Sequence, residues 1–231
     1  MDPYRAGSRP DLASDLGGVY EHRFSDRDAR AKDLMWTEVV RYLQRFVQEG
    51  PVLDIACDRG DFIRHVEAAE KWATDIRDVS QHLSPDIHFV QADGLDLPAS
   101  VPKGHFATVF MSNYLEHLPT SADVIRQFDV ARELLRTGGR VIVLQPNIRL
   151  VGAAYWDFID HKVALTERSL VEAAETSGFR TDRLIVRFLP YTTKSRLPQR
   201  ASLVRAYLRF PIAWRLLGGQ TLYVGTRRER G

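Results

Sequence analysis

Residues 52–62 read VLDIACDRGDF, and this stretch decides the fold. The apolar run at residues 52–56 is typical of a buried parallel strand. A polar turn follows and closes at Gly60, and apolar residues at helical spacing then predict a helix over residues 61–69. A strand, a tight turn and a helix start in this order form the first half of a nucleotide-binding βαβ unit, so we expect a doubly wound α/β fold.

The composition is typical of a soluble globular protein with one large domain: 231 residues, 44% hydrophobic and 27% charged. The single cysteine, Cys57, excludes an internal disulfide framework and a cysteine-based zinc cluster. It fits a reducing compartment, so we expect a cytoplasmic protein. The first residues lack the apolar run of a signal peptide, and no stretch approaches the roughly 18 apolar residues of a spanning helix.

Charge is distributed unevenly along the chain. The formal net charge is +2, yet residues 183–231 carry eleven basic residues and one acidic residue. Such a basic end indicates an acidic partner, which we expect to be a peripheral membrane surface or a phosphate-bearing substrate. The alternative is a solvated basic face that offsets the acidic remainder of the chain.

Predicted strands alternate with predicted helices, which indicates a mostly parallel sheet with helices on both faces. The strands after the first are predicted at residues 72–75, 87–91, 107–111, 140–144, 184–188 and 221–224. Helices are predicted at residues 26–48, with an apolar stripe of Leu34, Val39, Val40, Leu43 and Phe46, and at residues 122–135 and 167–178, with Thr137-Gly138-Gly139 and Gly178 as stops. Residues 192–219 predict a basic and apolar helical insertion that breaks near Pro211.

The second predicted strand ends in an acid that suits a nucleoside. Asp75 lies 15 residues after Gly60. A carboxylate at this strand end can accept hydrogen bonds from both ribose hydroxyls of an adenosine group. The next residue, Ile76, would then pack on the adenine ring.

The turn after the first strand resembles the D-x-G-x-G-x-G turn of class I S-adenosylmethionine-dependent methyltransferases, here Asp54-x-Ala56-x-Asp58-x-Gly60. Alanine still permits close approach of a cofactor, whereas Asp58 adds a side chain and a charge. The resemblance implies that this turn, including Cys57, binds S-adenosylmethionine and releases S-adenosylhomocysteine as product. It also implies a seven-stranded sheet whose last strand is antiparallel.

Two later strand ends extend the resemblance. In the family an acid after the third strand accepts from the adenine amino group, which assigns that role to Asp93, and Gly94 lets the backbone approach the ring. Ser112 and Asn113 open the polar segment that passes beside the sulfonium, and a Leu-Glu-His-Leu run, here residues 115–118, is frequent there. The Asn/Asp-Pro-Pro-aromatic sequence of DNA adenine and protein glutamine methyltransferases does not occur at this position.

The resemblance also divides the chain. Residues 1–49 are expected to form a tail and a helix that covers the cofactor, with Tyr20 as an aromatic cover and Arg23 as a partner for the cofactor carboxylate. Residues 50–231 then form the methyltransferase domain, which contains the insertion. Plain packing and a surface ion pair remain alternative roles for Tyr20 and Arg23.

Two histidines are candidate catalytic residues, because an alcohol or phenol acceptor benefits from a base near neutral pH. His117 follows the fourth strand beside the expected methyl group, and His161 lies in the stretch YWDFIDHK, residues 155–162, after the fifth strand. Asp160 is placed to orient His161. His161, Asp157 and Asp160 are also an alternative metal-binding set, but nothing in their spacing requires an ion, so we expect a metal-independent enzyme.

These features predict a methyltransferase that acts on a small molecule, with O-methylation of a sugar, glycan precursor or secondary metabolite favoured. The altered turn leaves one alternative open, a binding or membrane-associating protein that keeps the fold without turnover. A nicotinamide oxidoreductase is less favoured, because the glycine fingerprint is incomplete and the acids of the turn would repel a pyrophosphate. No clear nucleic-acid partner is predicted, although a nucleic-acid methyltransferase whose basic end follows the phosphates remains an alternative. The sequence also leaves open the oligomeric state and which atom is methylated.

Overall fold

A computed structural model of the chain describes residues 26–191 and 201–229. The strands are β1 (Pro51–Ile55), β2 (Glu70–Asp75), β3 (Ile87–Gln91), β4 (Phe106–Ser112), β5 (Leu135–Pro146), β6 (Phe179–Ile185) and β7 (Gln220–Arg227). The α-helices are α1 (Asp26–Leu43), α2 (Ser121–Leu134), α3 (Ile148–Val151), α4 (Glu167–Thr176), α5 (Ala201–Arg209) and α6 (Pro211–Leu217). Single 3-10 turns lie at Gln44–Phe46, Ser80–His82, Leu97–Ala99, Leu115–His117 and Gly152–Asp157.

The strands form one seven-stranded sheet in the order β3-β2-β1-β4-β5-β7-β6. β1 pairs in parallel with β2 and β4, and β2–β3 and β4–β5 are parallel pairs as well. β7 is antiparallel to both β5 and β6. The predicted doubly wound sheet with an antiparallel last strand is therefore confirmed, and the carboxyl ends of β1 to β5 meet at one edge.

Central strands are buried on both faces, because helices cover the sheet from each side. In β1, Val52 and Leu53 are both fully buried but belong to different core clusters. Val109 and Phe110 divide in the same way in β4. Helices α2 and α4 pack on the Leu53 face, and α1, α5 and α6 pack on the Val52 face. The near-continuous apolar runs of the sequence reflect this two-sided burial.

Helix α1 differs from its prediction at two points. It ends at Leu43 and continues only as a 3-10 turn to Phe46. Val39, Val40 and Leu43 are buried as predicted, but Leu34 is 45% exposed. The buried stripe instead begins at Trp36, because positions 36, 39, 40 and 43 share one helix face.

The helix predicted over residues 61–69 is wrong. The chain forms consecutive turns there, with helical hydrogen bonds from Arg64 N–H to the Gly60 carbonyl and from Val66 N–H to the Phe62 carbonyl. β2 begins at Glu70, two residues earlier than predicted. Phe62 is nevertheless buried and stacks on Phe110 with ring centroids 3.7 Å apart.

Two strand boundaries also differ. β5 starts at Leu135 instead of residue 140. Residues 137–139, which were predicted to stop the preceding helix, lie within this strand. Gly138 has a φ of 72° and the β4–β5 register shifts nearby, so this segment is a bulge. β6 runs from Phe179 to Ile185 instead of residues 184–188, because Gly178, with a φ of 84°, turns the chain directly from α4 into the strand.

The insertion contains the two predicted helices, α5 and α6, and the break falls at Pro211 as expected. Residues 192–200 of the insertion lie outside the described residues, as do Tyr20 and Arg23. Arg205 of α5 donates to Glu38 of α1 at 2.6 and 3.0 Å. No helix in the described ranges combines the length and the apolar character that crossing a membrane requires.

Candidate active site

The turn after β1 adopts three left-handed backbone conformations at alternating positions. Ala56 has a φ of 57°, Asp58 a φ of 49° and Gly60 a φ of 74°. These are the three positions that the D-x-G-x-G-x-G pattern assigns to glycine. The chain therefore keeps the backbone shape of the glycine turn at two positions where the sequence has lost the glycine, which imposes strain there.

The first acid of the turn is buried beneath it. Asp54 is 3% exposed and accepts a hydrogen bond from the Ile63 backbone N–H. Burial raises the pKa of Asp54, and the nearby carboxylate of Asp61 raises it further. Cys57 N–H donates to the Thr74 carbonyl at 2.9 Å, which ties the turn to β2.

Asp75 lies at the end of β2 and organises the contacts between β2 and the turn. Its carboxylate accepts from the Asp58 backbone N–H at 3.0 Å and from the Arg77 backbone N–H at 3.0 Å. Arg77 Nε also donates to it at 3.1 Å. The carboxylate is only 5% exposed, so these donors satisfy a buried charge.

Two cations compensate the negative charge of Asp58, the residue whose side chain was predicted to face the cofactor. Arg77 Nη2 donates to Asp58 Oδ1 at 3.0 Å, and Lys32 Nζ lies 3.6 Å from Asp58 Oδ2. Burial alone would raise the pKa of Asp58, but Lys32 and Arg77 hold it below its ordinary value. Sequence reasoning missed both cations; Arg77, two residues after the strand-end acid, was the available signal.

The remaining predicted cofactor residues lie along the same edge. Asp93 follows β3 and its carboxylate accepts from the Leu95 N–H at 3.0 Å, while the Ile76 carbonyl accepts from Gln91 at 3.1 Å. Gly94 packs so closely on Tyr114 that a Cβ would clash with the phenol oxygen. The structure thus gives Gly94 a packing role that the sequence did not indicate.

The exit of β4 completes this edge. Asn113 has a φ of 47° and its N–H donates to the Leu144 carbonyl at 2.9 Å. Its side-chain amide donates to Ser112 Oγ at 3.1 Å. The predicted cofactor residues of the domain at residues 50–231 therefore lie at the carboxyl ends of the strands β1 to β4, as the parallel pairing requires.

The two predicted catalytic histidines come together although 44 positions separate them in the chain. The rings of His117 and His161 have centroids 5.0 Å apart. The loop that carries His161 is tied back by backbone hydrogen bonds from Lys162 and Val163 to the Glu116 carbonyl, at 2.8 and 3.1 Å. Tyr155 in the same loop is fully buried and donates to the Val163 carbonyl.

Glu116 is the residue of this site that sequence reasoning missed. It is 1% exposed, and burial raises its pKa. Gln145 Nε2 donates to Glu116 Oε2 at 3.0 Å. An acidic residue directly beside the candidate histidine, in the segment after β4, was the signal that could have revealed it.

Asp160 lies beside His117. Its carbonyl oxygen lies 3.1 Å from His117 Nδ1 and its carboxylate 3.5 Å from the same nitrogen. These contacts were not foreseen from the sequence, and the orientation of His161 by Asp160 stays a prediction. Asp157 is exposed, away from the buried carboxylate of Glu116.

The left-handed turn, the strand-end acids and the fold fit a binding site for S-adenosylmethionine. The family model of the methyltransferase domain matches residues 25–184. The chain therefore belongs to the methyltransferase domain family, and it is an S-adenosylmethionine-dependent methyltransferase. No curated protein sequence matches it significantly.

Solved structures with the same fold include S-adenosylmethionine-dependent methyltransferases from Archaeoglobus fulgidus and Mesorhizobium loti. The first is 17% identical with a TM-score of 0.61, covering 85% of this chain and 94% of that chain. The second is 18% identical with a TM-score of 0.60, covering 82% and 96%. Geranyl diphosphate C-methyltransferase from Streptomyces coelicolor A3(2), solved with Mg²⁺, geranyl diphosphate and S-adenosyl-L-homocysteine, is 13% identical with a TM-score of 0.59, covering 82% and 76%.

The strained turn yields a prediction of opposite signs for two identical substitutions. Ala56→Gly removes a Cβ from a left-handed position and should raise the free energy of unfolding by up to about 1 kcal/mol. Ala131→Gly, at a buried position three residues before the end of α2, should lower it by about 1 kcal/mol. Urea denaturation of both variants measures the two changes. Equal destabilisation by both would show that the turn carries no strain at Ala56.

Proposed function

We propose that this methyltransferase transfers the methyl group to a hydroxyl oxygen of a small molecule. The observation that carries the proposal is the cluster of Glu116, His117 and His161 at the carboxyl edge of the sheet. Open α/β sheets bind their substrates at this edge. An acceptor hydroxyl needs a polar group that helps remove its proton, and imidazoles suit that task near neutral pH.

The cofactor residues follow from the order of the strand ends. Asp75 accepts from the ribose hydroxyls, Ile76 packs on the adenine and Asp93 accepts from the adenine amino group. The turn formed by Asp54, Ala56, Cys57, Asp58 and Gly60 holds the methionine part, with Ser112 and Asn113 beside the sulfonium. Arg77 occupies the Asp75 carboxylate in this structure, so binding of ribose requires the guanidinium to share that carboxylate or move toward Asp58.

Bound S-adenosylmethionine supplies an activated methyl group. In the transfer, the acceptor oxygen bonds to the methyl carbon as the carbon–sulfur bond breaks, and the hydroxyl proton passes to a base. His117 is the more accessible imidazole, with 22% of its side chain exposed against 5% for His161. His117 is therefore the imidazole assigned to contact the acceptor, and the more buried His161 packs behind His117.

The loop after β5 indicates an acceptor with a ring. Trp156 is 51% exposed, and the partly exposed Phe158 has its ring centroid 5.2 Å from that of His161. Aromatic faces of this kind pack against sugar and aromatic rings. A sugar, a glycan precursor or a secondary metabolite with a free hydroxyl fits these surroundings.

The cofactor assignment predicts the effect of removing one carboxylate. Asp75→Ala should weaken binding of S-adenosylhomocysteine about 10- to 100-fold, since hydrogen bonds to charged groups contribute about 1.5–3 kcal/mol. Asp78→Ala, an exposed acid three positions further on, should leave the affinity unchanged. Calorimetric titration measures both. Unchanged affinity in Asp75→Ala would contradict the proposed binding site of the cofactor.

Removal of the accessible imidazole should separate chemistry from cofactor binding. His117→Gln should lower turnover about 10²- to 10⁴-fold, the usual contribution of a group that assists proton transfer. Its affinity for S-adenosylhomocysteine should stay at the wild-type value. Transfer of a labelled methyl group to a panel of sugars, phenols and amines measures turnover, with His105→Gln at the amino end of β4 as the control.

The acceptor panel also decides the class of acceptor and the alternative function. Turnover confined to amines would contradict O-methylation. If the wild-type protein binds S-adenosylhomocysteine but no acceptor in the panel is methylated, a binding role without turnover becomes the better account.

We also propose that α5 and α6 contact an anionic membrane surface. Phe210, Ile212 and Leu216 are 65%, 76% and 78% exposed, although Trp214 on the same helix pair is buried against the domain. Residues 201–219 contain no acidic residue. Short helices with one apolar face and basic neighbours lie in the interface of acidic bilayers.

A basic cavity of about 850 Å³ adjoins these helices and supports the same partner. Five arginines line it, against one glutamate: Arg41, Arg45, Arg183, Arg205, Arg209 and Glu38. Arg205 and Arg41 hold the pKa of Glu38 down to about 2, so the glutamate stays charged and positions two of the arginines. The remaining guanidinium groups suit phosphate oxygens of lipid headgroups.

Vesicle binding tests this contact. The protein should bind vesicles of phosphatidylcholine and phosphatidylglycerol and should not bind phosphatidylcholine alone. The double variant Phe210→Ser, Leu216→Ser should bind at least about tenfold more weakly, because each buried apolar side chain contributes about 1.5–3 kcal/mol. Ile125→Ser, a partly exposed apolar position on α2, serves as the control. Absence of wild-type binding would favour a phosphate on the acceptor as the partner of the basic end.

A further inference from the structure

Glu116, His117 and His161 place three potential metal ligands around one point. Glu116 Oε1 lies 3.9 Å from His117 Nε2 and 3.9 Å from His161 Nε2. In the described part of the chain, one ligand atom from each residue lies within 4.8 Å of the other two. These separations exceed those of hydrogen bonds, which span about 2.7–3.2 Å. Ligands of a tetrahedral ion with bonds of about 2 Å lie roughly 3.3 Å apart, so inward rotations of these side chains complete a site.

Neighbouring groups orient two of these ligands toward the common point. Gln145 donates to Glu116 Oε2, which leaves Oε1 toward the histidines. The carbonyl and carboxylate of Asp160 both lie beside His117 Nδ1, which leaves Nε2 toward Glu116. Metal-binding histidines are usually held by such a contact to their second ring nitrogen.

The third ligand is held by aromatic rings. The imidazole of His161 has its centroid 4.8 Å from that of Tyr155 and 5.2 Å from that of Phe158. Tyr155 is itself fully buried. The side chain of His161 is 5% exposed, so its orientation is fixed by packing.

The charge of Glu116 supplies an independent reason for a cation. The carboxylate is 1% exposed, and no lysine or arginine in the described ranges forms an ion pair with it. A buried carboxylate is strongly unfavourable unless a cation or a proton neutralises it.

We propose that Glu116, His117 and His161 bind one divalent transition-metal ion, such as Zn²⁺ or Mn²⁺. Two imidazole nitrogens and one carboxylate oxygen favour these ions over Mg²⁺ and Ca²⁺, which prefer oxygen ligands. This inference replaces the expectation of a metal-independent enzyme. It also differs from the ligand set considered from the sequence, because Asp157 is exposed and Asp160 supports His117 instead.

The inference deepens the proposed function and rests on it for the role of the ion. Three protein ligands leave coordination positions open to the acceptor pocket. A cation there polarises an acceptor oxygen and lowers the pKa of its hydroxyl. His117 then acts as a ligand of that cation and no longer as the base, and the proton of the hydroxyl passes to solvent water.

Metal titration of the full chain, stripped of metal and without an added histidine tag, tests the site directly. Calorimetry with Zn²⁺ and electron paramagnetic resonance with Mn²⁺ should show one bound ion per chain in the wild-type protein. Glu116→Gln and His161→Asn should each weaken binding at least about tenfold. Mg²⁺ should bind more weakly than either ion.

His105→Asn is the matched control, because this histidine also lies beside a carboxylate, Glu70 at 3.2 Å, but at the opposite end of β4. It should bind Zn²⁺ as the wild-type protein does. If His161→Asn does not fold, as judged by its thermal unfolding, Glu116→Gln decides, since glutamine retains the shape of the side chain. Absence of a bound ion, or binding equally strong in all variants, overturns the inference.

The titration contains neither cofactor nor acceptor, so its result is independent of methyl transfer. A protein that binds the ion but methylates no hydroxyl would refute the proposed function and leave the metal site standing. A protein that methylates hydroxyls at full rate after chelation, with no ion bound, would refute the metal site and leave the proposed function standing.

Discussion

Parallel pairing of β1 with both β2 and β4 is the constraint on which the rest of this protein depends. It aligns the carboxyl ends of the central strands at one edge of the sheet, so residues far apart in the chain meet there. Burial of these strands between two layers of helices makes the alignment stable, because a register shift would expose apolar side chains. The strand-end acids, the polar exit of β4 and the histidine cluster all take their positions from this edge.

Buried charge is handled differently on the two sides of the site. On the cofactor side the acids have cationic partners: Lys32 lies 2.6 Å from Asp61, and Arg77 bridges Asp58 and Asp75. Removing one partner of such a pair would leave an uncompensated charge. On the proposed acceptor side, the groups that contact the Glu116 carboxylate include the amide of Gln145 and the imidazoles of His117 and His161. The acids near the proposed cofactor site are therefore compensated by the protein itself. The carboxylate near the proposed acceptor site is not compensated by a lysine or arginine of the described residues, which suits a role in activating the acceptor.

The sequence indicated a candidate site residue where a single residue type at a strand end or in a turn is a sufficient signal. Asp75, Asp93 and Gly60 could be proposed from the sequence because an acid at a strand end and a glycine in a turn are local signals. The exchange of glycine for Ala56 and Asp58 weakened the pattern, yet the backbone shape is the same, because neighbouring contacts impose it. Glu116 and Arg77 were not recognised, since their roles depend on groups brought near by folding.

The sequence by itself determined the alternation of buried strands and helices, and with it the parallel sheet and the edge where chemistry takes place. It did so because apolar periodicity and turn residues act locally. Tertiary structure alone decided that residues 61–69 form turns, that Asp58 is neutralised by Lys32 and Arg77, and that His117 and His161 meet at Glu116. These outcomes depend on crossover length, burial and distances across the sheet, which no local pattern encodes.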